Sequence, residues 1–144
     1  MIVLDSYAVI ALLRDEPAAA EVQRLIEGDA GAVLTVLGVA EVLDYLVRLA
    51  GVDEDEAALD LAQLRLAEPP ALGPDIAVRA GLLRARHYHR RDRAISLAAC
   101  VAAETGRTLD VPLATSDPHL LDTCAAEGIA VIVLPDARGV VWVG

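Results

Sequence analysis

Residues 1–13 read MIVLDSYAVIALL, and Asp5 is the only charged side chain among them. Ile2, Val3 and Leu4 form a short β-branched and aliphatic run of the kind that fills a buried strand. Asp5 and Ser6 end it and open a helix-like stretch that reaches Arg14. The expected unit is a strand, an aspartate at its carboxyl end, and a helix. The run is too short to span a bilayer, which takes roughly 20 apolar residues. A secretory signal would need a basic start and a small-residue cleavage site, and neither precedes Arg14, Asp15 and Glu16. The expectation is a cytoplasmic protein without a membrane segment.

The same unit recurs outward from this stretch. Pro17 suits the first turn of a helix over 18–26 that Gly28 closes. Residues 32–36 predict a second strand, followed by a helix over 37–50 that Gly51 ends. In that helix Val39, Val42, Leu43 and Leu46 share one apolar stripe, which leaves Glu41, Asp44, Tyr45 and Arg48 on the other side. Asp53 and Glu56 resemble a capping pair for a helix to about residue 67, stopped by Pro69 and Pro70. A helix from Pro74 carries Ile76, Ala80, Leu83 and His87 on one stripe. Ser96 precedes an alanine-rich helix over 97–104 with Gly106 as its stop. A strand over 111–114, a helix from Asp117 or Pro118 to Glu127, a strand over 130–134 and an edge strand over 140–143 complete the pattern. Strands alternating with helical crossovers predict an α/β domain of two or three layers around a mainly parallel sheet, with residues 1–144 forming one domain.

The chain is 56% hydrophobic but only 3% aromatic and has no Phe, so its core is aliphatic and helix-friendly. Cys100 and Cys124 lack the spacing of a zinc or redox motif and are expected as reduced, packed thiols. His87, His89 and His119 share no metal-ligand spacing, and no zinc is expected. The formal charge of -10 argues against a general phosphate-tracking surface. Residues 84–93 nevertheless carry Arg84, Arg86, Arg90, Arg91 and Arg93 against Asp92, a local +4 in a chain that is otherwise -14. All twelve basic residues are arginine. Without lysine there is no P-loop and no Schiff base.

Asp5 after the first strand, Asp117 after a later one, and Glu41 in the helix after the second strand fall where open α/β sheets build ligand sites. Converging carboxylates repel and need a cation. An oxygen-only donor set suits Mg²⁺ or Mn²⁺, held by few carboxylates and several waters. Such ions serve phosphodiester hydrolysis by activating water and stabilising the leaving oxygen. Ser6, Thr115 and Ser116 are supporting hydroxyls placed to orient carboxylates or water. Taken singly, Asp5 and Asp117 can also be helix caps and Glu41 a solvated helix residue beside an Asp44–Arg48 pair.

The segments VLDSYAVIALL at 3–13, LGVAEVLDYL at 37–46, ISLAACVAAE at 95–104, VPLATSDPHLL at 111–121 and GIAVIVLP at 128–135 together resemble a PIN domain. More narrowly, they resemble the VapC toxins of bacterial VapBC toxin–antitoxin pairs. The resemblance implies a PIN-like α/β/α fold and a Mg²⁺-dependent endoribonuclease that cuts structured RNA such as tRNA or rRNA. It also implies a homodimer silenced by a cognate VapB-type antitoxin. Matched position by position, the family's first, second and fourth acidic ligands fall on Asp5, Glu41 and Asp117, and the threonine of its T-x-D motif on Thr115. The arginines of 84–93 are candidate RNA contacts.

The third acidic ligand falls on Ala99, where the family pattern Ser-Leu-x-Asp reads Ser96-Leu97-Ala98-Ala99. An acid there would complete a capping box with Ser96 and complement the helix dipole. Its loss removes one metal ligand, so activity is expected to be strongly impaired. Ala99 is what a deliberate Asp-to-Ala change would leave in a toxic nuclease. The alternative is a naturally degenerate scaffold working only as a binding module, and Asp92 is a further candidate to replace the lost ligand. Phosphoryl transfer from a strand-end aspartate, as in haloacid-dehalogenase-type phosphatases or response-regulator receivers, fits poorly. Both use a lysine, and the phosphatases want D-x-D where this chain has Asp5-Ser6-Tyr7.

Overall fold

Asp5 does end a strand. In the computed structural model, which describes residues 1–144, β1 (Ile2–Leu4) leads through Asp5 into α1 (Ser6–Leu13). The chain continues through α2 (Ala19–Glu27), β2 (Ala32–Val33), α3 (Val36–Asp44) with a π-helical turn at Tyr45–Leu49, α4 (Glu54–Gln63) and α5 (Pro74–His87). Then follow α6 (Leu97–Leu109), β3 (Leu113–Thr115), α7 (Pro118–Glu127) and β4 (Val131–Val133). The strands form one parallel sheet in the order β2-β1-β3-β4. The chain therefore leaves β1 in one direction to reach β2 and returns on the other side to reach β3. A crevice opens at the carboxyl ends of β1 and β3, where that reversal occurs.

Side chains alternate across the sheet and so divide the core in two. Ile2, Leu4, Ala32, Leu34 and Ala114 face α1, α2, α3 and α4, packing with Val9, Ile10, Val22, Val42 and Leu46. Val3, Val33 and Leu113 face α5, α6 and α7, packing with Leu83, Ala99, Ala103, Leu120 and Cys124. The architecture is thus three-layered, α/β/α. Cys100 and Cys124 are free and fully buried in the second half, and burial pushes their thiols up to about 11 and about 12. No helix is long and apolar enough to cross a membrane.

Helix starts follow the capping residues. Thr35 accepts from the Gly38 N–H, Asp53 from Asp55 and Glu56, and Ser96 from Ala99. Several expected boundaries differ: the strand expected over 32–36 ends at Val33, with Val36 already in α3, and the helix expected to about residue 67 ends at Gln63. Gly106 does not stop α6, which runs on to Leu109 and closes on Asp110 in the left-handed region (φ 54°). Glycine is needed at 106 for closeness rather than termination, because a Cβ there would lie 3.0 Å from the Val111 carbonyl oxygen. Residues 140–143 form no strand. Pro135 has no N–H to continue the β4 ladder, and Asp136 folds the chain back by accepting from the Arg138 and Val140 N–H groups. Trp142 then ties this segment to α7 through Nε1–H donation to Asp122 Oδ1 (2.9 Å). The helix expected over 37–50 is α-helical only to Asp44, after which the Ala50 N–H reaches back five residues to the Tyr45 carbonyl.

Candidate active site

Asp5 has the backbone of a helix cap (φ -65°, ψ 148°) but makes no capping hydrogen bond with its side chain. Its carboxylate instead turns across the sheet, where Thr115 Oγ1 donates to Oδ2 at 2.9 Å. The same threonine oxygen accepts from the Asp117 N–H at 3.1 Å, so one hydroxyl fixes both aspartates. Asp117 caps α7 through Oδ1, which accepts from the His119 N–H at 2.9 Å. Ser6 Oγ donates to Glu41 Oε1 at 2.8 Å and ties α3 to α1 beside Asp5. Ser116 lines the adjoining cleft with Asp117.

Asp5 is 4% exposed and its carboxyl is pushed up to about 7. Burial is the main cause; the Thr115 hydrogen bond opposes it, and the charges of Asp117 and Glu41 add to it. The side-chain charges that act most on Asp5 are both negative. A site with this imbalance suits a cation, and an all-oxygen donor set suits a hard one. No three His, Cys, Asp or Glu side chains are drawn close enough to hold an ion by themselves. The donor chemistry suits an ion of the Mg²⁺ kind, which needs only one or two carboxylates and completes its shell with water. Ala99, 6% exposed in the first turn of α6, contributes a methyl group to the core.

The five arginines of 84–93 do not form one surface. Arg84 donates to the Ile95 carbonyl (2.8 Å) and lies over the Tyr88 ring at 4.3 Å. Arg86 pairs with Glu127, and Arg93 approaches His87 Nδ1 at 3.3 Å. Arg90 and Arg91 project to solvent from a tight turn closed by paired backbone hydrogen bonds between His89 and Arg93. His119 Nδ1 meets the Asp92 carbonyl of that turn at 3.1 Å, next to the Asp117 cap. The turn is thereby held beside the acidic site, and Asp92 itself is exposed with its only ion pair to His89.

Two groupings were not evident from sequence spacing. Glu127 gathers His87, Arg107 and Arg86 on the side where α5, α6 and α7 meet, and these partners hold its carboxyl down at about 2. Tyr7 and Tyr45 meet edge to face at the mouth of the acidic site. The available signal was their placement two residues after Asp5 and four after Glu41 in a chain with three tyrosines.

Residues 2–126 match the model of the PIN domain family. Among solved structures, the fold is similar to that of a toxin–antitoxin complex from Klebsiella pneumoniae, with 17% identity, TM-score 0.59, and coverage of 81% of this chain and 87% of that one. VapBC2 from Rickettsia felis, bound to a DNA fragment from their promoter, gives 12% identity and TM-score 0.68 over 92% and 98%. FitAcB from Neisseria gonorrhoeae gives 20% identity and TM-score 0.63 over 92% and 96%. At these identities the likeness is one of fold. No curated protein matches the chain.

Proposed function

Because the chain belongs to the PIN domain family, whose members are generally nucleases, we propose that it is a divalent-metal-dependent endoribonuclease, the toxin of a type II toxin–antitoxin pair. The observation that carries this is the buried Asp5 at the crevice between β1 and β3, joined to Asp117 through Thr115 and pushed up further by the charges of Asp117 and Glu41. Asp5 would hold Mg²⁺ or Mn²⁺, with Glu41 and Asp117 completing the shell directly or through bound waters. A bound ion of this type supplies an activated water and stabilises the leaving oxygen. Thr115 and Ser6 keep the carboxylates aimed, since each hydroxyl is committed to one of them. Arg90 and Arg91, the arginines of the strip without side-chain partners, are the best placed to contact substrate phosphates.

A VapB-type antitoxin is the proposed partner, supported by the toxin–antitoxin complexes among the structural neighbours. The excess of negative charge outside the arginine strip suits a partner that brings basic residues. Cytoplasmic tRNA or rRNA is the proposed substrate class and a homodimer the proposed state. Activity of this chain is reduced by Ala99, whether that residue is natural or a deliberate replacement of aspartate.

The test is RNA cleavage in Mg²⁺ or Mn²⁺, with an EDTA control, by this chain and by Ala99→Asp. Chelator-sensitive cleavage that appears or rises in Ala99→Asp is expected. Inactivity of both across tRNA, rRNA and unstructured RNA overturns the nuclease. It favours a PIN scaffold that acts only through binding, a state with which the buried Ala99 methyl is compatible.

A further inference from the structure

Tyr7 is the most exposed of the aromatic rings beside the acidic site, with 55% of its surface open. Tyr45, at the start of the π-helical turn, meets it with ring centroids 6.1 Å apart and planes at 81°. Tyr45 therefore braces Tyr7 and leaves part of the Tyr7 ring bare. Tyr7 lines one cleft with Ser6 and Glu41 and a second with Ser116 and Asp117, so the ring stands between the two flanking carboxylates. Between the two tyrosines and the rings of Pro118 and Pro135 lies a cleft of about 340 Å³, bordered by Asp117 and Glu16. That is the lower end of the volumes that seat small organic groups, which run from roughly 300 Å³ upward.

The chemistry of the walls selects the occupant. An exposed tyrosine face in a lining that also holds two proline rings suits a planar ring, and base-on-aromatic stacking accepts any nucleobase. Carboxylates at the rim repel a phosphate, and because they only accept hydrogen bonds they favour an exocyclic amino group with its two N–H donors over the edge of uracil, where a single N–H lies between two carbonyls. We propose that the cleft is a nucleobase subsite: the base next to the scissile phosphate stacks on Tyr7, and the acidic rim prefers bases with an exocyclic amino group over uracil. This rests on the RNA substrate proposed above and adds the residue that grips it.

The test uses the chain as it stands, with Ala99, in Mg²⁺, and short single-stranded RNAs carrying 2-aminopurine at successive positions. Affinity is read by anisotropy and stacking by quenching of 2-aminopurine. Tyr7→Leu is expected to weaken binding roughly 5- to 100-fold and abolish the quenching, while Tyr7→Phe keeps both. Because Tyr7 is largely exposed, thermal melts of both variants should match the parent and exclude misfolding. Arg91→Ala should instead weaken all RNAs alike and flatten the salt dependence. RNA binding that Tyr7→Leu leaves unchanged overturns the subsite and spares the ribonuclease. Oligouridine bound as tightly as oligoadenosine overturns the base preference. Absence of RNA binding by the parent and by Ala99→Asp alike overturns both readings.

Discussion

Replacing Asp5 by Asn removes a carboxylate that the fold buries beside two others, and the expected result is a more stable, metal-blind protein. In the unfolded chain this carboxyl ionises near 3.8; in the folded chain it is pushed up to about 7. At about 1.4 kcal/mol for each tenfold change in proton affinity, the rise costs up to about 4 kcal/mol at pH 8 in the absence of a cation. The sign follows from proton binding. Between pH 3.8 and 7 the folded state holds the proton that the unfolded state has released, so stability falls as pH rises through this window. Asn remains neutral throughout, its Oδ1 can accept from Thr115 Oγ1, and its amide can donate to Glu41 or Asp117. Urea unfolding in EDTA should show Asp5→Asn more stable than the parent by about 2 to 4 kcal/mol at pH 8, and nearly equal to it at pH 4. For a chain of this size that corresponds to a melting point higher by roughly 5 to 15 °C. Millimolar Mg²⁺ should raise the parent's stability at pH 8 and leave the variant's unchanged. An Asp5→Asn variant that is less stable than the parent at pH 8, or that differs from it equally at both pH values, refutes the reasoning.

Ala99→Asp adds a fourth carboxylate at a position 6% exposed, so without divalent ions it should lose about 1 to 3 kcal/mol at pH 8, recoverable with Mn²⁺ in the same melt. Glu127 is held down at about 2 by His87, Arg107 and Arg86; its contribution is complete above its ordinary value near 4.5 and fades as pH falls toward 2. Glu127→Gln should therefore lower the melting point at pH 7 and have little effect at pH 2. Gly106→Ala puts a methyl 3.0 Å from the Val111 carbonyl oxygen and should cost about 1 to 3 kcal/mol in urea unfolding. Thr115→Val leaves the Asp117 N–H without its acceptor and Asp5 without its donor; a loss of about 1 to 3 kcal/mol is expected, together with a further rise of the Asp5 carboxyl seen by carbon-detected NMR titration.

The strand, aspartate and helix of residues 2–13 were legible because a continuous aliphatic run buried on both faces and a helix start leave local marks. Ser96, Asp53 and Asp117 were legible as caps for the same reason. Glu41 could be placed off the core stripe of its helix, but its bond to Ser6 spans 35 residues and belongs to topology. Residues 140–143 have the β-branched and aromatic side chains of a strand, yet the ladder fails at Pro135 and the Asp136 turn, a conflict that composition alone does not decide. Gly106 carries the mark of a helix stop, but its reason is the neighbouring Val111 carbonyl. The arginine strip is continuous in sequence and divided in space, because Arg84, Arg86 and Arg93 are claimed by Ile95, Glu127 and His87.

The Thr115–Asp5 hydrogen bond joins residues 110 apart, and this separation sets an order of events during synthesis. Parallel pairing of β1 with β3 needs the whole intervening chain, and domains form from the amino terminus as it emerges at about 5–20 residues per second. For several seconds, then, Asp5 is made and lacks its partner, while Ile2, Leu4 and α1 can already pack with β2 and α3. The half-built sheet exposes the edge of β1 that β3 will cover. The acidic crevice needs β3 and Asp117, so a ribosome-bound fragment ending before residue 115 has Asp5 and Glu41 but no site.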